Sequence, residues 1–274
     1  MPQLGLGLMR FGSEAETAAV ISRAVSAGYR LFDSAAVYGN EHQVGEGLRQ
    51  CKLARKDLFV TTKLWNTEHG RTKANAALKG SLERLGLDQI DLYLIHWPLP
   101  MEDLYVDTWR ALIELQGEGL IGSIGVSNHT QEQLERLIDA TGVVPAVNQI
   151  EMHPRFQQRK LHEFHKEHRI VSQAWSPFGG GGTGEAPLLS ERVLTEISAK
   201  HDCTVSQVVL GWLIQLGSSV IPKATSSQHL TENMGALAFQ LDDSDLFEIA
   251  SLDSEHGRIG PDPMTFAVKD LSAS

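Results

Sequence analysis

Four side chains in this 274-residue chain, Asp33, Tyr38, Lys63 and His96, have types that could act together on a proton. Singly, each has a plainer role: an Asp closing a strand caps a helix, a Lys is solvated, a Tyr fills a loop, and a His after an apolar run sits in the core. In concert they form an acid–base device. A phenol is a poor acid at neutral pH, and an adjacent ammonium favours its ionised form and lowers its pKa. Lys63 is expected to do this for Tyr38, with Asp33 keeping the amine charged and His96 donating or relaying a hydrogen bond to a substrate oxygen. Such a site protonates an oxygen on which negative charge develops. Reduction of a carbonyl by a nicotinamide needs this, because the hydride comes from the cofactor and the protein supplies orientation and electrostatics.

The four residues must be brought together by elements that are separate in sequence. Eight short apolar runs rich in strand formers recur, at 4–9, 29–35, 57–64, 90–97, 121–128, 146–153, 169–177 and 218–224. Helical spacing follows them at 14–27, 42–50, 72–86, 104–118, 130–140, 158–167, 204–216 and 227–236, with an extra helix near 190–200. Ser13 before Glu16 and Thr130 before Gln133 read as helix starts, and Gly28, Gly86, Gly119 and Gly142 as helix ends. Alternating strands and helices give parallel βα units, and eight of them predict an α/β chain of the (β/α)8 TIM-barrel class, for which about 250 residues is usual. One domain spanning 1–274 is expected. In such a barrel the reactive groups stand at the carboxyl ends of the strands, and there the runs carry Asp33, Ser34, Lys63, His96, Ser127, Asn128, Asn148, Gln149, Trp175, Ser176 and Lys223. Tyr38 follows the second run closely enough to lean over the same rim.

Composition excludes several alternatives. The formal charge of -10 argues against nucleic-acid or anionic-membrane partners, which need clustered cations. Cys51 and Cys203 are the only cysteines, which suggests neither disulfides nor a thiolate metal site and fits a reducing cytoplasm. No export signal and no run of about 18 apolar residues is present, so a cytoplasmic monomer acting on a small molecule is expected.

The segments "FDSAAVYGNE", "TTKLW", "SLERLGLDQIDLYLIHWP", "IGVSNHT", "VNQIEMHP" and "VIPKA", in this order over essentially the whole chain, resemble the aldo-keto reductase superfamily. "HGRTKANAALKGSLERLGLD", "AWSPFGG" and "HGRIGPDPMTF" resemble its bacterial 2,5-diketo-gluconate reductases most. The resemblance implies a barrel binding NADPH at its carboxyl face, a tetrad of Asp33, Tyr38, Lys63 and His96 with Tyr38 as general acid, and reduction of small aldehydes, ketones, α-dicarbonyls or keto-sugars. It places the nicotinamide carboxamide on Ser127, Asn128 and Gln149 and the ring on Trp175. Ser176, Phe178, Gly179 and the glycines to 182 would cross the pyrophosphate. Lys223, Ala224, Thr225 and His229 would face the 2′-phosphate, Glu232 and Asn233 the adenine, and Met9, Trp97 and Phe266 the substrate.

Two departures from the family pattern matter. Ala224 and His229 stand where the family has a serine and an arginine, so a hydroxyl donor and a bidentate cation are missing from the 2′-phosphate clamp. NADPH is therefore expected to be favoured with NADH also usable. The family also places a hairpin before the first strand, whereas here the first run starts at Leu4, so the barrel floor is expected to be closed differently or the start to be trimmed. The short tail after Phe266 argues against a long specificity loop.

Three other readings compete. "GLGLMR" begins like a dinucleotide-binding glycine motif, but Arg10 replaces its third glycine. A non-catalytic nucleotide-binding subunit on the same barrel would not require the whole tetrad. A metal enzyme could recruit His153, His162, His165 and His168, but the last three, among Glu and Lys, read as a solvated helix face without a carboxylate cluster, so no metal is expected.

Overall fold

The computed structural model describes residues 1–9, 13–180 and 187–269. Eight parallel strands follow one another around a barrel in sequence order: β1 (Gly5–Gly7), β2 (Leu31–Asp33), β3 (Phe59–Leu64), β4 (Ile90–Ile95), β5 (Ile121–Ser127), β6 (Val147–Glu151), β7 (Val171–Trp175) and β8 (Ser219–Val220). The ring closes where Leu4 bridges Val220, with Val220 N donating to Gln3 O at 2.8 Å and Gly7 N to Pro222 O at 3.1 Å. Ahead of β1, Pro2 O accepts from Ser219 Oγ at 3.1 Å. The glycines of the competing nucleotide motif serve strand packing instead: a Cβ on Gly7 would lie 2.9 Å from Ile221 O at the closure, and one on Gly5 would run into Leu31 of β2. Arg10, on which that motif also turns, lies outside the described residues.

The helices match the expected pattern within a residue or two. They are α1 (Glu14–Ser26), α2 (Glu41–Gln50), α3 (Arg71–Leu85), α4 (Tyr105–Gly117), α5 (Gln131–Thr141), α6 (Arg159–His168), the extra helix α7 (Arg192–Lys200), α8 (Val205–Gln215), α9 (Ser227–Gly235) and α10 (Asp243–Ala250). Helix α10 is an addition to the expected set; Asp242 caps it by accepting from the backbone N–H groups of Ser244 and Asp245. Ser13 and Thr130 cap α1 and α5 as their spacing predicts. Gly28, Gly86, Gly119 and Gly142 all take positive φ.

Strand register decides which face each residue takes. Lys63 lies opposite Leu94, and Ser127, Gln149, Gln173 and Ser219 form one continuous cross-strand row, so these side chains share the barrel interior. Tyr93, Asn148 and Ser172, one residue out of phase, face the helices. Asn148 therefore leaves the rim where the sequence reading put it: its amide donates to His129 O at 2.9 Å and meets His165 Nε2 at 3.0 Å.

The same outer layer corrects the histidine reading. His162 and His165 are 6% and 0% exposed, not solvated, because their i,i+3 spacing puts them on the face of α6 that packs against the sheet. Both Nδ1 atoms meet Ser172 Oγ at 2.8 Å. His168 stacks on Phe164 with ring centroids 4.0 Å apart. Burial pushes His165 and His129 down to about 3 and His69 to about 4. These imidazoles are neutral in the folded chain, while the unfolded chain takes up protons near pH 6.5. Stability is thus fully present above about pH 6.5 and drains as pH falls towards the folded values, by roughly 1.4 kcal/mol per pH unit for each imidazole. We expect the urea midpoint to fall between about pH 6.5 and pH 4.5, and His129→Phe to flatten that slope; an unchanged slope would remove His129 from the account.

Among the described residues no helix is long and apolar enough to cross a membrane. Cys51 and Cys203 are free thiols.

Candidate active site

Lys63 is the fixed centre of the carboxyl-end rim. Its side chain is fully buried, and its ammonium donates to Asp33 Oδ1 at 2.5 Å and to Ser34 O at 2.8 Å. The other Asp33 oxygen accepts from Gln149 Nε2 at 2.8 Å, and the same nitrogen donates to Gln173 Oε1 at 2.7 Å. Burial raises the Asp33 pKa against the pull of Lys63. Lys63, drawn down by burial but held by Asp33 and Tyr38, ends above its ordinary value and is charged.

Tyr38 ends a single turn of 3-10 helix, Ala36–Tyr38, stopped by Gly39 at φ 66°. Asn40 pins this turn to the barrel: its Oδ1 accepts from Ser34 Oγ at 2.9 Å and its Nδ2 donates to Leu8 O at 2.7 Å. The turn brings the Tyr38 ring to 5.3 Å from the Lys63 ammonium and edge-on to His96, centroids 5.9 Å apart. Burial raises the Tyr38 pKa and outweighs the ammonium, which acts in the opposite direction. The expected net lowering is therefore corrected: the resting phenol keeps its proton. His96, 9% exposed, is held by its backbone, N–H to Leu64 O at 3.1 Å and carbonyl from Asn128 Nδ2 at 3.0 Å. Burial, then the Lys63 charge, drives its pKa well below the ordinary imidazole value, so it is a neutral hydrogen-bond donor.

The second group lies along β5 to β7. Asn128 adopts φ 60° and spends its amide on His96 O, Ser127 Oγ at 3.1 Å and the indole N–H of Trp175 at 2.9 Å. Ser127 Oγ donates to Gln149 O at 2.8 Å. Of the three expected carboxamide partners, then, Ser127 and Asn128 have committed their donors to the protein. Acceptors remain at Asn128 Oδ1 and at Gln149 Oε1, which suits the NH2 of a flat amide-bearing ring laid beside half-buried Trp175. Ser176 at φ 48° and Gly179 at φ 63° form a turn, Gly179 N donating to Ser176 O at 3.0 Å, while Phe178 packs back onto the core. Gly181 and Gly182 lie outside the described residues.

Beyond β8, Ala224 is buried, Lys223, Thr225 and His229 are exposed, and Glu232 accepts from Gln228 Nε2 at 2.7 Å. Asn233 is 3% exposed and faces the Tyr29 hydroxyl. Of the substrate set, Trp97 and Phe266 pack with centroids 4.2 Å apart, whereas Met9 is 45% exposed.

Sequence reasoning missed the parts that wall the mouth. Trp65 lies 5.1 Å from His96 and 6.5 Å from Phe266, between ring centroids, and its indole donates to Lys269 O at 2.8 Å. Asn66 Nδ2 donates to Val268 O at 2.6 Å. On the other side, the buried Glu151 carboxylate accepts from Ile259 N at 2.7 Å and Gly260 N at 2.8 Å. A Cβ on Gly260 would lie 2.5 Å from the Trp175 ring, so only glycine lets the tail cross there. The available signal for Trp65 was an aromatic just past Lys63 at a strand end; nothing local marks Glu151.

Comparisons with known proteins identify the family. The Aldo/keto reductase family profile matches residues 3–254. Methylglyoxal reductase DkgA of Escherichia coli O157:H7 is 47% identical over 97% of this chain and 94% of its own length. A solved variant of the protein Gox0644 in complex with NADPH superposes with a TM-score of 0.91 at 46% identity, covering 98% of this chain and 95% of that one. An aldo/keto reductase structure from Brucella melitensis gives 0.87 at 45% identity, with coverages of 92% and 95%. A (β/α)8 barrel with these residues at its carboxyl rim, matched along nearly its whole length, belongs to the aldo/keto reductase family.

Proposed function

We propose that this chain reduces small aldehydes, ketones and α-dicarbonyls such as methylglyoxal to alcohols at the expense of NADPH, with Tyr38 as proton donor. The observation that carries this reading is the buried Lys63–Asp33 pair with the Tyr38 phenol and the neutral His96 imidazole packed around it. Bound NADPH supplies the hydride. His96 donates a hydrogen bond to the carbonyl oxygen and orients it towards Tyr38. As that oxygen becomes an alkoxide, a far stronger base than phenolate, Tyr38 gives up its proton, and the phenolate left behind faces the Lys63 ammonium. Asp33 keeps that ammonium charged and aimed. A proton from solvent then restores the phenol.

Trp175 offers the face for the nicotinamide, and the acceptors of Asn128 and Gln149 take its amide N–H groups. Ser176, Phe178 and Gly179 lie on the pyrophosphate path, and Lys223, Thr225 and His229 at the adenosine end. Trp65, Trp97 and Phe266 form the apolar wall for the non-reacting part of the substrate. The chain works as one domain, as a cytoplasmic monomer without nucleic-acid partners. A non-catalytic nucleotide-binding role would leave the charged, buried Lys63 and the protonated Tyr38 without a task.

The test is steady-state NADPH oxidation, followed by its near-ultraviolet absorbance, with methylglyoxal, aromatic aldehydes and keto-sugars. Turnover with methylglyoxal at a kcat of about 1 per second or more is expected. NADPH binding without turnover of any of these carbonyls would favour the non-catalytic reading.

A further inference from the structure

Arg23 is a half-buried residue of α1, and its Nε donates to Thr225 O at 3.1 Å across 202 positions of sequence. That carbonyl belongs to the segment that leaves β8, two residues past Lys223 and just before Ser226, whose hydroxyl caps α9 by accepting from His229 N at 3.1 Å. The contact exists because ring closure sets β1 beside β8 and therefore α1 beside α9. It uses one of the five N–H donors of the guanidinium. Arg49, Arg55 and Arg84 are each neutralised by a carboxylate, whereas among the described residues none pairs with Arg23. A guanidinium anchored by a backbone carbonyl, with both Nη groups unspent among the described residues, is a preorganised fork for a phosphate.

We propose that Arg23 is the cation that distinguishes the 2′-phosphate of NADPH from the ribose hydroxyl of NADH, in place of the arginine and serine that His229 and Ala224 do not provide. This rests on the reading that the Lys223–His229 segment receives the adenosine end. Thr225 and Ser226 contribute hydroxyls beside it, while His229, exposed on the first turn of α9, has no fork to offer. The discrimination that the β8–α9 segment lost is restored from α1, a helix that local sequence comparison around Lys223 would never include.

The experiment measures Kd for NADPH and for NADH by quenching of tryptophan fluorescence in the wild type, Arg23→Gln and Lys223→Gln. Arg23→Gln should weaken NADPH roughly 10- to 100-fold, the loss of a charge-assisted phosphate contact, and leave NADH within about twofold. The unchanged NADH affinity also shows that the variant is folded. Equal weakening of both nucleotides would mean that Arg23 only braces the Thr225 loop, and overturns the proposal. Loss of NADPH affinity in Lys223→Gln alone overturns the role of Arg23 while keeping the adenosine site. No change in either variant overturns both.

Discussion

Tyr38→Phe should cut kcat for methylglyoxal roughly 10²- to 10⁴-fold while leaving the NADPH Kd within about twofold, as measured by steady-state turnover and fluorescence titration. The argument is geometric first. The phenol is carried on a one-turn helix fixed by Ser34, Asn40 and Leu8, so its ring stays beside Lys63 and His96 whether or not the hydroxyl is present. Phenylalanine keeps the ring contacts and deletes only the hydroxyl, with the proton it carries. No other described group replaces it: His96 is neutral, and the Lys63 ammonium is occupied by Asp33 and Ser34 O. The pH dependence follows from the same two directions. Tyr38 titrates above its ordinary range, and as the proposed proton donor it acts in its acid form, so reduction should slow only on the alkaline side. His96 titrates well below neutrality, so kcat should show no acidic limb between about pH 6 and 8. Wild-type-like turnover by Tyr38→Phe would assign the proton elsewhere.

Lys63→Met should destabilise the fold by about 3–5 kcal/mol in urea unfolding, and it should also abolish measurable reduction. The substitution removes one partner of a pair in which Lys63 is 0% and Asp33 2% exposed. A carboxylate left alone there keeps only its hydrogen bond from Gln149 and must take up a proton or remain uncompensated. Burial already raises the Asp33 pKa, and loss of Lys63 raises it further. Asp33 ionises alike in both unfolded chains, so the deficit relative to the wild type should grow as pH rises from the raised value Asp33 has beside Lys63 towards the still higher one it has without it. Adding Asp33→Asn should recover part of the stability and none of the activity. That split separates the structural cost of the pair from its service to Tyr38. A single variant as stable as the wild type would show that the ammonium was never desolvated.

The sequence by itself determined the strand and helix series, the caps at Ser13 and Thr130, the glycine ends and the placing of Asp33, Lys63 and His96 at strand ends, because these are local patterns: period-two or helical apolar spacing, capping chemistry, and polar groups ending apolar runs. The tertiary structure alone decided which face a rim residue takes. Asn148 and Gln149 are neighbours in the chain, yet one serves the helical layer and the other hydrogen-bonds Asp33, because side chains alternate and register fixes the phase. It also decided protonation. The ammonium beside Tyr38 was legible as a lowering influence, but the larger, opposite effect of burial depends on how densely the rim is packed. Closure of the ring set Arg23 beside Thr225, and the returning tail set Trp65 against Lys269 and Glu151 against Gly260. Contacts of this kind join positions about 100 to 200 residues apart, and no local pattern encodes them, since only the path of the whole chain brings such positions within hydrogen-bonding distance.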